Sequence, residues 1–274
     1  MKEAFFMPLN ARNVLLTLSY LKAGDWKEMY TSIKNKEKLR DEDIIKAKKE
    51  TKAGFLSVVD DDYPACFKHL YNPPLLLYYY GNLSLLKSEC RLTVIGTRNP
   101  TLYQNNTVYD FVKESEEAFD NKLIIVSGMA KGIDQAGMKA AMDVGAPVIS
   151  VIGSGIDNPY PKDDAGIYEY CKNGKGLIMS EYPNTTKAAP NNFVFRNRLL
   201  AALADITFVG GGKRFSGSMS TVRQSIELNN EILALPCNTT GDDLTNDLIK
   251  DGATSVLTSK DIIDALKHRL EHNR

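Results

Sequence analysis

From residue 92 onward the chain alternates short apolar runs with longer segments in which apolar residues recur every three or four positions. The short runs are Leu92–Ile95, Leu123–Val126, Val148–Ile152, Leu177–Ser180, Ile206–Val209, Ile232–Leu235 and Ser255–Leu257. Continuous apolar runs are typical of strands buried on both faces, and the intervening periodicity is typical of helices. This alternation predicts an α/β fold whose mostly parallel sheet is covered by helices on both faces. Because right-handed crossovers bring every strand-to-helix loop to the carboxyl edge of such a sheet, we expect ligands to bind there.

The beginning of the chain has helical periodicity throughout and many lysines. Apolar residues recur at helical spacing in two groups, which are Val14, Leu15, Leu18 and Leu21, and then Ile33, Leu39, Ile44 and Ile45. We therefore predict a small helical domain over residues 1–53. Residues 54–91 are predicted to form a connector with one added strand at about Leu75–Tyr80. Residues 92–258 then form the core, and residues 259–274 a C-terminal helix.

Composition narrows the possible functions. The chain has 34 Lys and Arg against 34 Asp and Glu, so a nucleic-acid site has to be local rather than a general basic field. The four cysteines show no CxxC spacing and no pairing with the three histidines, which argues against a zinc site and a disulfide framework. We expect no metal and no cofactor. With no signal peptide and no long apolar run, the pattern favours a cytoplasmic protein without a membrane span.

The run Phe193–Leu200 carries the clearest candidate chemistry. Its sequence FVFRNRLL places Arg196, Asn197 and Arg198 directly before an apolar segment that we predict to be helical. A helix start offers unpaired N–H groups, and each guanidinium offers a planar fork of donors that fits a phosphate. The sequence thus favours a phosphate site here, although a solvated helix start remains the alternative at this point.

Four other loops of the predicted carboxyl edge contain glycine, hydroxyl and basic residues. They are Gly96–Arg98, Ser127–Asp134, Gly153–Lys162 and Gly210–Ser218. Glycines let backbone N–H groups approach an anion, and serines and threonines at helix starts can donate to phosphate oxygens. Each loop alone is compatible with ordinary turn chemistry. Together they indicate an anion-binding edge.

Known nucleotide motifs are absent from these loops. Gly153-Ser154-Gly155 lacks the last glycine of a GxGxxG turn, and Gly212-Lys213-Arg214 lacks the hydroxyl residue that follows the lysine of a P-loop. We also find no convincing pair of nucleophile and base, so no catalytic residue is predicted.

Five segments together resemble the DprA/Smf family of DNA processing proteins. They are Val94–Arg98, Val126–Asp134, Tyr160–Lys162, Phe195–Arg198 and Ser216–Ser218, which follow one another in the family's order and at similar spacing. The resemblance covers about residues 55–258. It implies an extended Rossmann-like core, often preceded by a small helical domain that resembles a sterile alpha motif.

The resemblance also implies function and partners. Members of the family bind single-stranded DNA during natural transformation, dimerise, and load the RecA recombinase onto the strand. Here the matching dimer surface would lie near Leu244–Val256. Binding of this kind follows the phosphate backbone without reading sequence, so we expect an affinity that falls steeply with salt.

Specific residues follow from the same resemblance. Arg98 and Lys162 match the family's basic pocket, with Arg196 and Arg198 close by, and these four are expected to pair with successive phosphates. The backbone and hydroxyl groups expected to cradle a phosphate are those of Gly96, Ser127, Gly128, Ser216, Gly217 and Ser218. Lys131 and Asn197 complete the predicted DNA-binding set, and we expect Asn197 to fix the turn.

Three positions depart from the family pattern. Met138 stands where a histidine is common, Gly210-Gly211 where an acidic residue is common, and Cys237 where glycine is usual. Two other functions stay open at this point. One is a phosphoribohydrolase on a related scaffold, although Gln224 stands where that enzyme needs a glutamate, three residues after Thr221. The other is a sensor that binds a small phosphorylated ligand without reaction.

Overall fold

One nine-stranded sheet organises the chain. The computed structural model describes residues 10–88, 90–162, 165–184, 186–238 and 244–272. The strands are β1 (Gly54–Ser57), β2 (Leu76–Gly81), β3 (Arg91–Ile95), β4 (Ile124–Ser127), β5 (Val148–Ile152), β6 (Leu177–Ser180), β7 (Ile206–Val209), β8 (Glu231–Ala234) and β9 (Thr254–Ser255). Their order in the sheet is β1-β2-β6-β5-β4-β3-β7-β8-β9. The strands from β3 to β9 are parallel to one another, whereas β1 and β2 are antiparallel to their neighbours, so the predicted α/β fold is confirmed.

Helices cover both faces of the sheet. They are α1 (Ala11–Leu21), α2 (Trp26–Lys34), α3 (Asp41–Glu50), α4 (Ala65–Lys68), α5 (Leu102–Ala118), α6 (Ile133–Asp143), α7 (Ala165–Tyr170), α8 (Pro190–Leu203), α9 (Gly217–Glu227), α10 (Leu244–Lys250) and α11 (Ser259–His272). Helices α1, α3, α5, α6, α7 and α11 contribute to one apolar cluster, and α4, α8, α9 and α10 to the other. Within the described ranges, no helix combines the length and the apolar character needed to cross a membrane.

Alternation along the strands explains why two faces are covered. In β5, Val148 belongs to one apolar cluster, whereas Ile149 and Val151 belong to the other. All five residues of this strand are buried. Successive side chains of a strand point to opposite faces, so a strand that is apolar at every position needs a helical layer on each side.

The segment before the parallel strands contains one strand that the apolar pattern did not predict. Only the strand at Leu75–Tyr80 was expected, and it is present as β2. Strand β1, with the short sequence GFLS, pairs antiparallel with β2 and forms the edge of the sheet. Four residues that begin with glycine give too weak a periodicity to identify a strand, and the pairing with β2 decides its conformation.

The first three helices pack onto this edge. The Tyr78 hydroxyl donates to Ser19 Oγ at 3.0 Å, and the indole nitrogen of Trp26 donates to the carbonyl of Pro73 at 2.7 Å. Gly24, between α1 and α2, has a φ of 76° and lies against Glu181, where an added Cβ would come within 2.5 Å of the carbonyl oxygen. The helical segment is therefore docked by specific contacts.

The strand order also determines where a ligand can bind. From β3 the sheet extends through β4, β5 and β6 in one direction and through β7, β8 and β9 in the other. The loops that follow β3 and its neighbours therefore diverge, and a crevice opens at their carboxyl ends. Five of the loops singled out in the sequence meet at this edge.

Glu116, near the end of α5, is a buried acid without a counter-charge. Its side chain is fully buried, and neither carboxylate oxygen has a hydrogen-bond partner among the described residues. Burial alone raises the pKa of this carboxyl to about 8, because an unpaired charge is poorly solvated in the core.

We expect Glu116 to make the fold less stable as pH rises from about 5 to 8. The folded state holds the proton up to the raised pKa, whereas the unfolded chain releases it near the ordinary value, so the free energy of unfolding decreases through this window. Urea denaturation of the wild type and of Glu116→Gln at pH 5.5 and pH 8 measures the effect. The variant should lose less stability between the two pH values, by on the order of 2 kcal/mol. Equal losses in the two proteins would contradict the assignment.

Candidate nucleic-acid interface

A cleft of about 720 Å³ opens at the carboxyl edge of the sheet. It is lined by residues from the loops after β3, β4, β6 and β7 and by Tyr160 after β5. A smaller cavity of about 210 Å³ adjoins it and shares Arg98, Tyr160, Phe193 and Arg196 with it. The loops that the sequence grouped together therefore form one continuous concave surface.

Two aromatic rings and one guanidinium form the mouth of the cleft. The Phe193 ring centroid lies 5.7 Å from that of Tyr160, and the guanidinium of Arg98 lies 5.8 Å from the Phe193 centroid. Arg98 is exposed, and half of the Tyr160 surface is accessible. A cation beside exposed rings suits a ligand that combines negative charge with flat apolar groups.

Two helix starts also face the cleft. Helices α8 and α9 begin with Ala189 and Ser216 as N-caps, and neither cap side chain accepts a hydrogen bond from its helix. Residues Ala188 and Pro190 of one start and Ser216 to Ser218 of the other line the cleft. Helix starts carry a partial positive charge and unpaired N–H groups, so both favour an anion in this space. Lys213, exposed in the loop before α9, adds a full positive charge.

Of the three serine hydroxyls expected to cradle a phosphate, two donate hydrogen bonds to backbone carbonyls of the protein. Ser127 is buried and its Oγ donates to the carbonyl of Val94 at 2.6 Å, while Ser218 Oγ donates to the carbonyl of Gly96 at 2.8 Å. Ser216 Oγ is buried and has no partner within the described part of the chain. Of the hydroxyls expected to cradle a phosphate, only that of Ser216 keeps its hydrogen-bonding capacity, and that of Ser127 is a structural link between neighbouring strands.

The glycine-rich loop after β4 is held by Asp134. This carboxylate, fully buried, accepts from the backbone N–H groups of Gly128 at 3.1 Å and Ala130 at 3.3 Å. Burial raises the pKa of Asp134, and the nearby positive charge of Arg196 opposes that shift. The expectation that the Gly128 N–H binds phosphate is therefore corrected, because this N–H already donates its hydrogen bond to Asp134.

Arg196 lies inside a helix rather than before one. Helix α8 begins at Pro190, nine residues before the start expected at Leu199, and the proline is accommodated in its first turn. The buried guanidinium donates from Nη1 to the carbonyls of Gly128 and Val151, and from Nε to Asn197 Oδ1 at 3.2 Å. Its contact with Gly128 is so close that a Cβ there would lie 2.5 Å from Nη2.

The guanidinium of Arg196 still borders the ligand space. It lines both cavities, and its Nη2 donates to no atom of the described residues. Burial lowers its pKa to about 10, which leaves the group charged at neutral pH. Arg196 thus fixes the floor of the cleft and contributes positive charge to it.

Arg198 has a different position from the one expected. It forms a buried, bidentate ion pair with Glu181, at 2.6 and 2.7 Å, and its Nε donates to the carbonyl of Asn72 at 2.9 Å. Its guanidinium also packs 3.7 Å from the ring centroid of Phe195. Because every nitrogen is engaged and the side chain lines neither cavity, the predicted phosphate contact of Arg198 is not compatible with this structure.

Of the remaining predicted residues, Asn197 and Lys131 each line a cavity, whereas Lys162 does not. Asn197 lies inside α8 rather than in a turn; it lines the cleft, and its Nδ2 donates to the carbonyl of Gly217 at 3.2 Å, which joins α8 to the start of α9. Lys131 is exposed and borders the smaller cavity. Lys162 is exposed but lies outside the lining of both cavities, next to the Tyr160–Pro161 segment.

Sequence reasoning did not assign a role to Phe193, Tyr160 or Lys213. All three belong to segments named in the sequence analysis, but the DNA-binding role was assigned to other residues of those segments. A usable signal was present, since Tyr160 and Phe193 follow two strands whose ends meet at one edge. Only the folded arrangement shows that the two rings are neighbours.

Comparison with known proteins defines the family. A family model described as DNA recombination-mediator protein A matches residues 54–267. The DNA processing protein DprA of Streptococcus pneumoniae is 34% identical over 209 residues, which are 76% of this chain and 72% of that protein. This chain belongs to the DNA recombination-mediator protein A family.

Solved structures of DprA proteins support the same conclusion. The X-ray structure of DprA from Streptococcus pneumoniae aligns with a TM-score of 0.73 at 29% identity and covers 94% of this chain and 93% of that one. A DprA structure from Helicobacter pylori, described for its unique single-stranded DNA binding mode, aligns with a TM-score of 0.70 at 28% identity. It covers 80% of this chain and 98% of that one.

Two departures from the expected pattern of the DprA family have physical explanations. Gly210 and Gly211 follow β7 where an added Cβ would lie 2.5 Å from Val108 Cγ2 and 2.6 Å from Gln104 Nε2, respectively. An acidic side chain has no room at either position in this packing. Met138 is fully buried within the apolar cluster of α6, so its substitution changes the core rather than the cleft. The structure gives no comparable reason for Cys237.

Mutation of Arg198 should destabilise this DprA-family protein strongly, whereas mutation of Arg98 should have little effect on its stability. Arg198→Met leaves Glu181 buried without a counter-charge, and we expect it to lower the free energy of unfolding by about 3–5 kcal/mol. Arg98→Met removes an exposed side chain, so its effect on unfolding should stay below about 0.5 kcal/mol.

Urea denaturation measures both effects. The double variant Arg198→Met with Glu181→Leu serves as the control, because it removes the unpaired charge and should recover much of the lost stability. An Arg198→Met protein as stable as the wild type would contradict the structural role.

Proposed function

We propose that this protein binds single-stranded DNA in the cleft and delivers the strand to a recombinase. The observation that carries the proposal is that both Arg98 and Tyr160 lie next to the Phe193 ring, at a cleft that two uncapped helix starts face. Phosphates meet positive charge at this mouth, and bases meet aromatic surface. Membership of the recombination-mediator family and likeness to a DprA described for single-strand binding support the same function.

Exposed bases favour a single strand over a duplex or one free nucleotide. In a duplex the bases are stacked on each other and cannot lie on Phe193 or Tyr160. Basic residues extend from Lys213 across the cleft to Lys131 and Lys162, beyond the space that one phosphate group occupies. This distribution follows a backbone, which is the reason we prefer a strand to the small ligand of a sensor.

The proposed contacts revise the set expected from the sequence. Arg98, Lys213, Lys131 and Lys162 neutralise phosphates from exposed positions, and Arg196 contributes from the floor. The start of α9, at Ser216, Gly217 and Ser218, offers N–H groups, with Gly96 providing a surface that a backbone can approach. Asn197, Ser127 and Gly128 position these groups, and Arg198 stabilises the helix that carries them.

The proposal includes partners, location and organisation. The recombinase is RecA, the setting is natural transformation and recombination in the cytoplasm, and the protein acts as a homodimer through Leu244–Val256. Strand β9 in that region is an edge strand of the described sheet, which can offer backbone groups to a second copy.

We further propose that residues 1–53 form a helical domain that resembles a sterile alpha motif, followed by a connector over 54–91, a core over 92–258 and a final helix over 259–274.

We also propose that the cleft binds its ligand without reaction. Thr221 lines the cleft near the start of α9, and Gln224 follows one helical turn later. A phosphoribohydrolase on a related scaffold needs a carboxylate at that second position. The Gln224 amide has no charge and cannot act as a base, so it cannot perform the chemistry that this enzyme requires.

We expect Arg98→Glu combined with Lys162→Glu to abolish tight binding of oligo-dT, because the double change places negative charge beside the strand. Fluorescence anisotropy at low salt measures the loss, which should exceed about a hundredfold.

A salt titration of the wild type should show a linear fall of log affinity with log salt concentration.

Lys122→Glu combined with Lys267→Glu is the matched control. It changes the net charge by the same amount, but Lys122 precedes β4 at the opposite edge of the sheet and Lys267 lies on α11. This control should bind oligo-dT within about twofold of the wild type at moderate salt, where distant charges are screened. Equal loss in both double variants would mean that general charge, rather than the cleft, governs binding.

The loading function predicts a kinetic effect on the recombinase. On single-stranded DNA covered by a single-strand-binding protein, wild-type protein should shorten the lag before RecA hydrolyses ATP, because it provides RecA with a place to nucleate. The Arg98→Glu and Lys162→Glu double variant should leave the lag unchanged. A wild type that binds the strand but never shortens the lag would retain the binding function and exclude the loading function.

A further inference from the structure

A series of contacts leads from helix α8, next to the cleft, to the helical segment at the beginning of the chain, and four aromatic residues lie along it. They are Phe195 on α8, Tyr71 in the loop before β2, and Trp26 and Tyr30 on α2. We call these four residues the aromatic track. Nearly all of the Tyr71 surface and half of the Tyr30 surface are exposed, at 97% and 50%.

The Trp26 and Tyr30 rings are in direct contact, and the other members of the track are linked to them through Arg198, Asn72 and Pro73. Phe195 follows Val194, which lines the cleft, and packs against the guanidinium of Arg198. Arg198 donates to the carbonyl of Asn72, next to Tyr71, and the following carbonyl, of Pro73, accepts from Trp26 Nε1. The Trp26 ring then stacks on Tyr30 with centroids 5.0 Å apart and planes 8° from parallel.

The surroundings of the track are basic on the side toward α2. Lys34 lies one turn beyond Tyr30 on the same face of the helix, Lys27 lies beside Trp26, and Lys68 lies three residues before Tyr71. All three are exposed and have no ion pair within the described ranges. The carboxylate of Asp25 is used as the N-cap of α2, where it accepts from the N–H of Glu28.

We propose that the aromatic track is a second binding surface for single-stranded DNA, which holds the part of a strand that extends out of the cleft. Three observations favour nucleic acid as the occupant. The track begins at Phe195, next to the cleft residue Val194, exposed lysines lie close in sequence to three of its four rings, and its two most exposed residues are tyrosines with no hydrogen bond in the described structure. Rings with adjacent cations bind successive bases and phosphates without selecting a sequence. The inference rests on the proposed function of the cleft.

The single tryptophan of the chain provides a direct measurement. Oligo-dT strands of increasing length are titrated into the wild-type protein while anisotropy reports binding and selectively excited tryptophan emission reports the track. Short strands should bind without changing the emission. Beyond a threshold length, a base that reaches Trp26 or Tyr30 should quench the emission, and the affinity should rise at the same length.

Variants separate the track from the cleft. Tyr30→Ala and Tyr71→Ala should each weaken binding of long strands about tenfold and leave short-strand affinity unchanged, because each removes one stacking ring. Ile45→Ala is the matched control, since it removes a side chain that is 63% exposed on α3, within the same helical segment but outside the track. It should change neither affinity.

Three results would overturn the inference. Emission that does not respond to bound strands of any length would show that DNA does not reach the track, with the cleft still intact. Equal weakening of short and long strands by Tyr71→Ala would show an indirect effect on the cleft. Emission that responds to the recombinase alone would assign the track to a protein partner. If anisotropy showed no binding at any length, the function of the cleft would fail together with the track.

Discussion

Two buried guanidinium groups hold helix α8 across the carboxyl ends of the central strands, and the cleft depends on this anchoring. Arg196 donates to carbonyls that follow β4 and belong to β5, and Arg198 is paired with Glu181 at the end of β6. Removing a charge of this kind from water is unfavourable unless the charge is paired or its hydrogen bonds are satisfied. Arg198 meets this condition through its ion pair, and Arg196 meets it in part through the hydrogen bonds of Nε and Nη1, so α8 is fixed in position where three strands end.

The position of α8 determines the character of the ligand site. Its first turn, at Pro190, brings an uncapped helix start to the cleft, and Phe193 on the same turn lies close to both Arg98 and Tyr160. Asn197 then ties α8 to the start of α9, which orients a second helix start toward the same space. Charge and aromatic surface therefore meet at one mouth because a single helix is held by its buried arginines.

The same helix links the core to the segment at the beginning of the chain. Arg198 reaches Asn72, the neighbouring Pro73 accepts from Trp26, and Gly24 packs against the main chain of Glu181. These contacts connect α2, through the loop before β2, to the helix that borders the cleft. A helical segment docked in this manner can extend the surface that a long ligand meets, which is the physical basis for the aromatic track.

Periodicity by itself determined most of the architecture. Continuous apolar runs predicted each parallel strand within one or two residues, since a strand buried on both faces leaves no alternative for those side chains. The meeting of the strand-to-helix loops at the carboxyl edge could also be predicted, because right-handed crossovers bring these loops together whatever their sequences. The short strand β1 has no clear apolar pattern, and its conformation depends on its pairing with β2.

Only the tertiary structure decided which basic residues face the ligand. Arginines in a local run look equivalent in sequence, yet Arg198 is paired with a carboxylate 17 residues away, whereas Arg196 donates to the carbonyls of Gly128 and Val151 and keeps its charge. The start of α8 was misplaced for the same reason, as the charges that suggested a helix start are buried inside the helix. Likewise Phe193 and Tyr160 are 33 positions apart in the sequence and become neighbours only through the fold. Periodicity depends on each residue's own preference for burial, whereas the role of a charge depends on the partner that distant parts of the chain bring to it.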